Sequence, residues 1–308
     1  EKLYLEGSDR GLIAHYKFDG NLADTIDPSN NQLALYSGDD DWVSGGIFRE
    51  ALDFDGDRYI ITSSQLVSAL DTHSSWSVSV WVKVDSSLGT NYLPIITRYD
   101  ASTTSGNRGG FVCSIYQAKF RLERWYIGAN YINLYSTTLI SDHWDEWILV
   151  SFVSSNRKLE IYVNGSLDAS DTSATNDWQV TQTFSGTSYA NQIGLGGFFR
   201  NVSNANPFNS TQTGEGYLDD FRIYDRALSE VEIQNIYNEQ YNIQKNQITD
   251  STDEVVYFKY NPNIAVSGQT EYTINFPQDT ECDILVVAGG GAGSQAHGGG
   301  GGGGSLIF

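Results

Sequence analysis

Hydrophobic and polar residues alternate along many short segments of this chain. The clearest case runs from Trp76 to Val84, where valine occupies every second position from Val78 onward and serine, tryptophan or lysine lies between. Successive side chains of an extended strand point to opposite faces, so this strict period of two predicts a strand with its valine face in a core.

Ten further segments have a similar pattern and are separated by polar turns. They are residues 12–18, 51–56, 59–61, 93–99, 110–115, 119–126, 146–154, 158–164, 192–196 and 216–224. No helical segment interrupts them, which favours an all-β, antiparallel two-sheet sandwich over a parallel sheet. Asn164-Gly165 follows an alternating segment and is suited to a tight hairpin turn.

One short helix is predicted at the C-terminal end of this region. Ser229 and Glu232 fit a capping box, in which each residue bonds the backbone N–H of the other. Apolar residues then follow at helical spacing, namely Val231, Ile233, Ile236 and Tyr237. The helix is expected to end near Tyr241 and to close a domain of residues 1–245.

The character of the chain changes after a polar linker, residues 246–254. Strands are predicted at 255–260, 271–276 and 283–288, and the last runs into glycine-rich sequence with a seven-glycine tract at 298–304. A glycine tract is either a flexible linker or closely packed backbone in a glycine-rich β module. The flanking apolar strands favour the module, which we expect to span 255–308 and to continue beyond that point.

Charge and cysteine content exclude several classes of function. The net charge of -20, with only 18 lysines and arginines in 308 residues, argues against binding nucleic acid. No apolar run reaches the roughly 18 residues of a membrane span, so membrane insertion is not expected. Cys113 and Cys282 form no metal-binding pattern, and whether they pair is left open.

Two adjacent acids interrupt the last predicted strand of the sandwich. Strict alternation places Asp219 in line with Phe221 on the apolar side and places Asp220 on the other side. A carboxylate that faces a core needs a hydrogen bond, an ion pair or a metal, so Asp219 is expected to have a partner. Asp220 is expected to pair with Arg222 or to be ordinary surface.

Several separated segments resemble the laminin-G-like, concanavalin A-like jelly roll. They are residues 11–24, 51–56, 76–83, 147–165 and 218–232, and the resemblance covers residues 8–241. It implies a jelly-roll fold. The part from residue 255 is similar to glycine-rich modules of viral or phage tail-fibre-like proteins and extracellular receptors, which implies a surface or fibre setting.

The resemblance also implies a calcium ion near Asp19 and Asp219. The turn Asp19-Gly20-Asn21 offers a carboxylate, an amide and backbone carbonyls, which are oxygen ligands that calcium accepts, with Asn21 as a helper. The alternative is that Asp19 caps a turn and Asp219 accepts backbone hydrogen bonds. The acidic triplet at 39–41 is interpreted as a solvated loop.

Aromatic side chains on predicted loops are the candidates for stacking on a sugar. They are Trp42, Tyr99, Trp125, Tyr126, Tyr131, Trp178 and Phe208, whereas Trp81 and Trp147 are expected in the core. The segments 100–110 and 198–214 are predicted recognition loops. Sequons at Asn164, Asn201 and Asn209 predict glycosylation if the protein follows a eukaryotic secretory route.

No catalytic constellation is evident in the sequence. Jelly-roll glycosidases need paired carboxylates, commonly alternating on one strand, and this chain has no such run, no GxSxG elbow and no cluster of histidines. We therefore predict a non-catalytic module that recognises carbohydrate or glycoprotein on an extracellular, cell or virion surface. The alternatives are a structural building block that contacts other copies of itself and, third, a polysaccharide-degrading enzyme.

Overall fold

A computed structural model describes most of the predicted sandwich and two short segments beyond it. The described residues are 10–31, 33–37, 42–47, 49–55, 59–62, 66, 70, 75–84, 86, 92–100, 110–126, 130–174, 193–201, 208–245, 286–287 and 306–307. The chain forms two compact units, Lys2–Phe258 and Lys259–Phe308.

The elements of the larger unit that are described over their full length are seventeen strands, one 3-10 turn and one α-helix. The strands are Leu12–Tyr16 (β1), Leu33–Ser37 (β2), Trp42–Ser44 (β3), Glu50–Asp55 (β4), Tyr59–Thr62 (β5), Trp76–Lys83 (β6), Tyr92–Asp100 (β7), Gly110–Tyr116 (β8), Lys119–Tyr126 (β9), Asn130–Tyr135 (β10), Ile148–Ser155 (β11), Lys158–Val163 (β12), Ser166–Asp171 (β13), Gly194–Leu195 (β14), Gly197–Asn201 (β15), Phe208–Thr213 (β16) and Glu215–Tyr224 (β17). A 3-10 turn covers Ile140–His143, and the helix α1 covers Glu230–Lys245.

The strands form two sheets, as predicted. The eight-stranded sheet has the order β13-β12-β11-β6-β17-β4-β3, with β1 also paired to β17. The nine-stranded sheet has the order β10-β9-β8-β7-β14-β5-β2, with β15 and β16 attached beside β7. Among the described pairs only β15 with β7 is parallel. The all-β sandwich predicted from the alternation, and the jelly-roll fold that the resemblance implied, are therefore confirmed.

The main core lies between the two sheets and confirms the prediction for the valine face. Val78, Val80 and Val82 of β6 are buried there together with residues of the facing sheet such as Phe120 and Leu122. A second cluster, the helix-side core, contains Trp81, Leu149, Tyr162, Ile233 and Ile236. It covers the opposite face of the eight-stranded sheet, which explains why β6 is buried on both faces.

The helix begins as predicted but is longer. The backbone N–H of Ser229 donates to Glu232 Oε2 at 2.8 Å, and the backbone N–H of Glu232 donates to Ser229 Oγ at 3.4 Å, so the capping box is confirmed. The helix continues to Lys245 rather than ending near Tyr241.

The Asn164-Gly165 turn joins β12 to β13, which confirms the predicted hairpin. Both residues have positive φ, 49° and 84°, as a tight hairpin turn requires. The Asn164 side chain also accepts a hydrogen bond from the Leu149 N–H at 3.0 Å. The turn is thereby tied to the neighbouring strand β11.

Several strands escaped prediction because their alternation is short or polar. They are β2, β3, β10, β13, β15 and β16. The segment 198–214 was wrongly predicted to be a loop, since most of it belongs to β15 and β16. Cross-strand hydrogen bonds hold such polar segments in a sheet without a clear apolar pattern.

The smaller unit contains one described pair of strands. Val286–Val287 (β18) pairs antiparallel with Leu306–Ile307 (β19). The strands predicted at 255–260 and 271–276, and the glycine tract between β18 and β19, lie outside the described residues, as does Cys282. Cys113 is a buried free thiol in β8.

Candidate functional site

A bulge in β17 decides where the two adjacent acids point. Asp219 lies opposite Trp81 and Arg222 lies opposite Ser79, so two residues of β17 face the single residue Val80 of β6. Strict alternation fails at this point. Leu218 and Phe221 both enter the main core, whereas Asp219 faces the helix-side core, and the prediction that Asp219 and Phe221 share one face is wrong.

Asp220, the extra residue of the bulge, is buried. Only 2% of it is exposed, so the prediction of ordinary surface is wrong, although the predicted pairing with Arg222 is confirmed at 3.0 Å. Its other oxygen lies 2.5 Å from His15 Nε2. Burial alone would raise the pKa of Asp220, but the charges of Arg222 and His15 hold that pKa below its usual value.

Asp219 is fully buried beneath the loop that carries Gly45, Gly46 and Ile47. It accepts hydrogen bonds from the backbone N–H of Ile47 at 2.5 Å and of Asp220 at 2.7 Å, as the alternative interpretation expected. Burial and the negative charges of Asp220 and Asp19 nevertheless raise its pKa to about 8, against the opposing effect of the two N–H donors. Asp19, which is distant in sequence, is therefore close enough to Asp219 to affect its charge.

The loop above Asp219 has no room for a side chain at Gly46. A Cβ there would lie 2.2 Å from the Glu50 carbonyl oxygen and 2.7 Å from Asp219 Oδ2. The Trp147 indole donates to the Gly45 carbonyl at 3.0 Å and holds the other side of the loop. The loop backbone thus approaches the carboxylate closely.

Asp19 has a buried oxygen without a partner. Its Oδ1 accepts no hydrogen bond among the described residues. The neighbouring Asn21 is engaged in the turn: its Nδ2 donates to the Asp19 carbonyl at 3.1 Å, and its Oδ1 accepts from the Ala23 N–H at 3.0 Å. Asn21 therefore shapes the turn that presents Asp19.

The surroundings of Asp19 and Asp219 fit a hard cation. Asp19 has a buried carboxylate oxygen that accepts no hydrogen bond among the described residues, and Asp219 is a buried carboxylate with a raised pKa. A cation bound between them would stabilise the charged form of both groups. Within the described part of the chain, no three acidic, histidine or cysteine side chains form a metal cluster. The remaining ligands would be backbone carbonyls and water, which calcium accepts and most transition metals do not favour.

The described aromatic candidates lie in strands rather than on loops, so the loop assignment is wrong. Trp42 in β3 packs against the main core beside Phe18. Tyr99, Tyr126 and Phe208 belong to β7, β9 and β16, but their side chains, and all of Trp178, lie outside the described residues. As expected, Trp81 is core, and Trp147 packs against the helix-side core.

Trp125 belongs to a row of aromatic and polar side chains on the outer face of the nine-stranded sheet. Tyr131 of β10 lies opposite Trp125 of β9 with ring centroids 4.5 Å apart, and Asn133 lies opposite Glu123. Phe120 and Leu122 point into the main core, so alternation puts this row on the other face. We call Tyr92, Tyr116, Arg121, Glu123, Trp125, Tyr131 and Asn133 the aromatic strip.

Hydrogen bonds and ring contacts order the aromatic strip. The Trp125 indole donates to Glu123 Oε1 at 3.1 Å, and the Arg121 guanidinium lies over the rings of Tyr92 and Tyr116, 5.3 and 5.0 Å from their centroids. Burial raises the pKa of Glu123, although Arg121 and the Trp125 bond oppose that rise. Arg121 thus contacts Tyr92 and Tyr116, and Glu123 is bound to Trp125, so side chains from β7, β8 and β9 are in contact along the strip.

Two members of the strip stand out, one by its exposure and the other by its unsatisfied hydrogen bonding. Tyr131 is 50% exposed while Trp125 beneath it is 3% exposed. The Asn133 Oδ1 is a buried acceptor that receives no hydrogen bond among the described residues. The strip was missed because β10 was not predicted, although the alternating residues 131, 133 and 135 were a usable signal.

The remaining candidates are only partly described. Asn164 uses its side-chain oxygen in the hairpin turn, and the side chains of Asn201 and Asn209 lie outside the described residues, as does the acidic triplet 39–41. Glycosylation stays a prediction at all three sequons.

Most of the sandwich matches a known protein family. Residues 54–234 match the family described as the concanavalin A-like lectin/glucanases superfamily. The chain belongs to this superfamily. Residues 266–308 match a glycine-rich domain, which agrees with the resemblance seen in the sequence. A search of curated proteins found no match.

Solved structures share the fold at low sequence identity. The receptor-binding domain of botulinum neurotoxin C/D mosaic serotype is 18% identical, with a TM-score of 0.52, over 75% of this chain and 52% of that one. The binding domain of botulinum neurotoxin serotype G is also 18% identical, with a TM-score of 0.54, over 75% and 52%. The chain thus spans about half the length of these domains, and the likeness shows the fold alone.

Proposed function

We propose that this chain is a non-catalytic recognition module that binds a glycan or glycoprotein. The aromatic strip is the observation that carries the proposal. Aromatic rings stack on the apolar faces of sugar rings, and adjacent amides and carboxylates bind the hydroxyl groups. Tyr131 offers the exposed ring, Trp125 supports it from below, and Glu123 and Asn133 offer acceptors beside it.

A calcium ion is the second part of the proposal. Asp19 and Asp219 would hold the ion, and calcium would supply the positive charge that the two carboxylates lack. The Asn21 turn holds the backbone of Asp19, and two backbone N–H donors beneath the Gly46 loop hold the Asp219 carboxylate. Such a site would join three segments that are distant in sequence.

An extracellular, cell-surface or virion-surface setting fits both parts. The family includes lectins by its description, and two solved structures of similar fold are named as binding domains of toxins. The glycine-rich domain would act as a stem. None of the described helices has the length and apolar character needed to cross a membrane.

A glycan array followed by calorimetry in CaCl₂ tests the recognition proposal. We expect wild type to bind a subset of glycans, Tyr131→Ala to lose most of the affinity, and Tyr131→Phe to retain it because the ring remains. Leu167→Ala is the matched control, since Leu167 is 45% exposed on the other sheet. No binding by wild type, or equal binding by wild type and Tyr131→Ala, would count against the proposed site.

The glycine-rich domain at residues 266–308 favours a second candidate, a structural role in a fibre or surface assembly. Its contacts would be with other copies of the chain. Size-exclusion chromatography and electron microscopy separate the two: ordered assembly without glycan affinity supports the structural role, and a dispersed monomer contradicts it.

A further inference from the structure

The orientation of Asp219 depends on the bulge in β17. Opposite the pair Trp81 and Ser79, β17 has one more residue than β6. In a regular strand without the bulge, Asp219 and Phe221 would share one face, so Asp219 could not face the Gly46 loop while Phe221 points into the main core. The bulge therefore lets Asp219 face the Gly46 loop while Phe221 stays in the main core.

The bulge has to be held in place by contacts. Asp220 adopts a left-handed backbone conformation with φ of 47°, which residues other than glycine adopt reluctantly. Its carboxylate is 2% exposed and uses one oxygen for His15, at 2.5 Å, and the other for Arg222, at 3.0 Å. His15 of β1 lies directly opposite Arg222 of β17, so the two partners close around the acid from both strands.

Asp220 also touches the proposed calcium ligand directly. Its backbone N–H donates to Asp219 Oδ1 at 2.7 Å, while Asp219 Oδ2 accepts from the Ile47 N–H. Rotating the Asp220 peptide would therefore remove one of the two donors that orient the Asp219 carboxylate.

We infer that Asp220, clamped between His15 and Arg222, is a positioning residue that holds the β17 bulge and so aims the Asp219 carboxylate toward Asp19. The inference rests on the calcium site proposed above. Residues that orient metal ligands typically change metal affinity by about 10- to 100-fold when they are replaced. The clamp should act on calcium affinity although neither His15 nor Arg222 is a proposed calcium ligand.

Calcium titration of the full chain tests this role. Isothermal calorimetry with CaCl₂ on metal-free protein should give an affinity about 10-fold weaker or more for Arg222→Gln and for His15→Ala than for wild type. Arg222→Lys, which keeps the charge, should recover part of the loss. Arg226→Gln is the matched control, because it breaks another arginine–carboxylate pair, with Glu232, at the start of the helix.

The outcomes separate the inference from the proposed site. If wild type binds calcium and Arg222→Gln, His15→Ala and the Arg226→Gln control all keep its affinity, the positioning role is overturned while the calcium site stands. If wild type binds no calcium, the site fails and this inference fails with it, whereas glycan binding is judged by the Tyr131 variants. Should Arg222→Gln not fold, His15→Ala decides: an affinity equal to wild type overturns the role.

Discussion

Replacing Gly46 with alanine tests how closely the loop approaches Asp219. The added Cβ would lie 2.2 Å from the Glu50 carbonyl oxygen and 2.7 Å from Asp219 Oδ2, well inside the separation that carbon and oxygen atoms tolerate. Because one of the two contacts is backbone, the loop has to move. That movement would lengthen the Ile47 N–H hydrogen bond to Asp219, now 2.5 Å.

The expected loss has two sources. Overpacking of a tight site typically costs about 1 to 3 kcal/mol. Weakening a hydrogen bond to a charged or buried acceptor adds about 1.5 to 3 kcal/mol. Together they predict a loss of about 2.5 to 6 kcal/mol in the free energy of unfolding, and a melting temperature lower by roughly 2 to 4 °C for each kcal/mol in a domain of this size.

The neighbouring glycine provides the control. Gly45 has φ of +92°, but a Cβ there would have nothing within 4 Å, so Gly45→Ala introduces backbone strain without a collision. Strain at a left-handed position costs about 1 to 2 kcal/mol. Thermal unfolding followed by circular dichroism, with and without calcium, compares the two variants. Equal melting temperatures for Gly46→Ala and Gly45→Ala would refute the close approach.

Three further predictions concern the helix start, the hairpin and the metal. Glu232 accepts from Arg226 and Ser229, which keep its pKa below the usual value despite burial, so Glu232→Gln should cost about 1 to 2 kcal/mol above pH 5. Because the pKa of Glu232 is lowered in the folded protein, this stability is lost as pH falls through that lowered pKa. The free energies of urea unfolding of variant and wild type should therefore converge at acidic pH below the usual glutamate pKa, and a constant gap would contradict the assignment. Asn164→Ala removes the acceptor for the Leu149 N–H and favourable turn geometry, and should lower the melting temperature by about 2 to 8 °C, whereas an unchanged value would exclude a role for that bond. Asp19→Asn should abolish the rise in melting temperature that calcium gives wild type, and persistence of that rise would place the ion elsewhere.

Local patterns were enough to predict the elements whose pattern lies within one stretch of chain. The valine alternation of β6 reflects a strand with a fixed apolar face, and the Ser229–Glu232 capping box needs only residues three apart. The Asn164-Gly165 turn is similarly local, because its positive φ values are set by those two residues. Strands with polar or brief alternation, such as β3 and β13, gave no comparable signal.

Asp219 and Asp220 show what local patterns cannot predict. The bulge exists because β17 pairs with β6 and β1, strands that are far away in sequence, and an extra residue in one partner is invisible in the alternation of either. Reading the segment as a regular strand therefore assigned Asp219 to the wrong face and Asp220 to the surface. Both acids were nevertheless recognisable as residues in need of partners.

The aromatic strip also depends on pairing between strands, which local patterns cannot predict. Tyr92, Arg121 and Tyr131 belong to β7, β9 and β10, and only the order of these strands in the sheet brings the side chains together. Loop assignments for Trp125 and its neighbours failed because strand ends are set by pairing rather than by composition.

The sequence by itself determined the antiparallel sandwich, the capped helix, the hairpin turn and the two acids that need partners, because each depends on periodicity or on neighbouring residues. The jelly-roll class came from the resemblance of several segments to a known family. Tertiary structure decided which face Asp219 occupies, that Asp220 is clamped by His15 and Arg222, and that Tyr131 covers Trp125 on the outer face. Those outcomes depend on the register between strands. Register is a property of the pairing, and no single strand carries it.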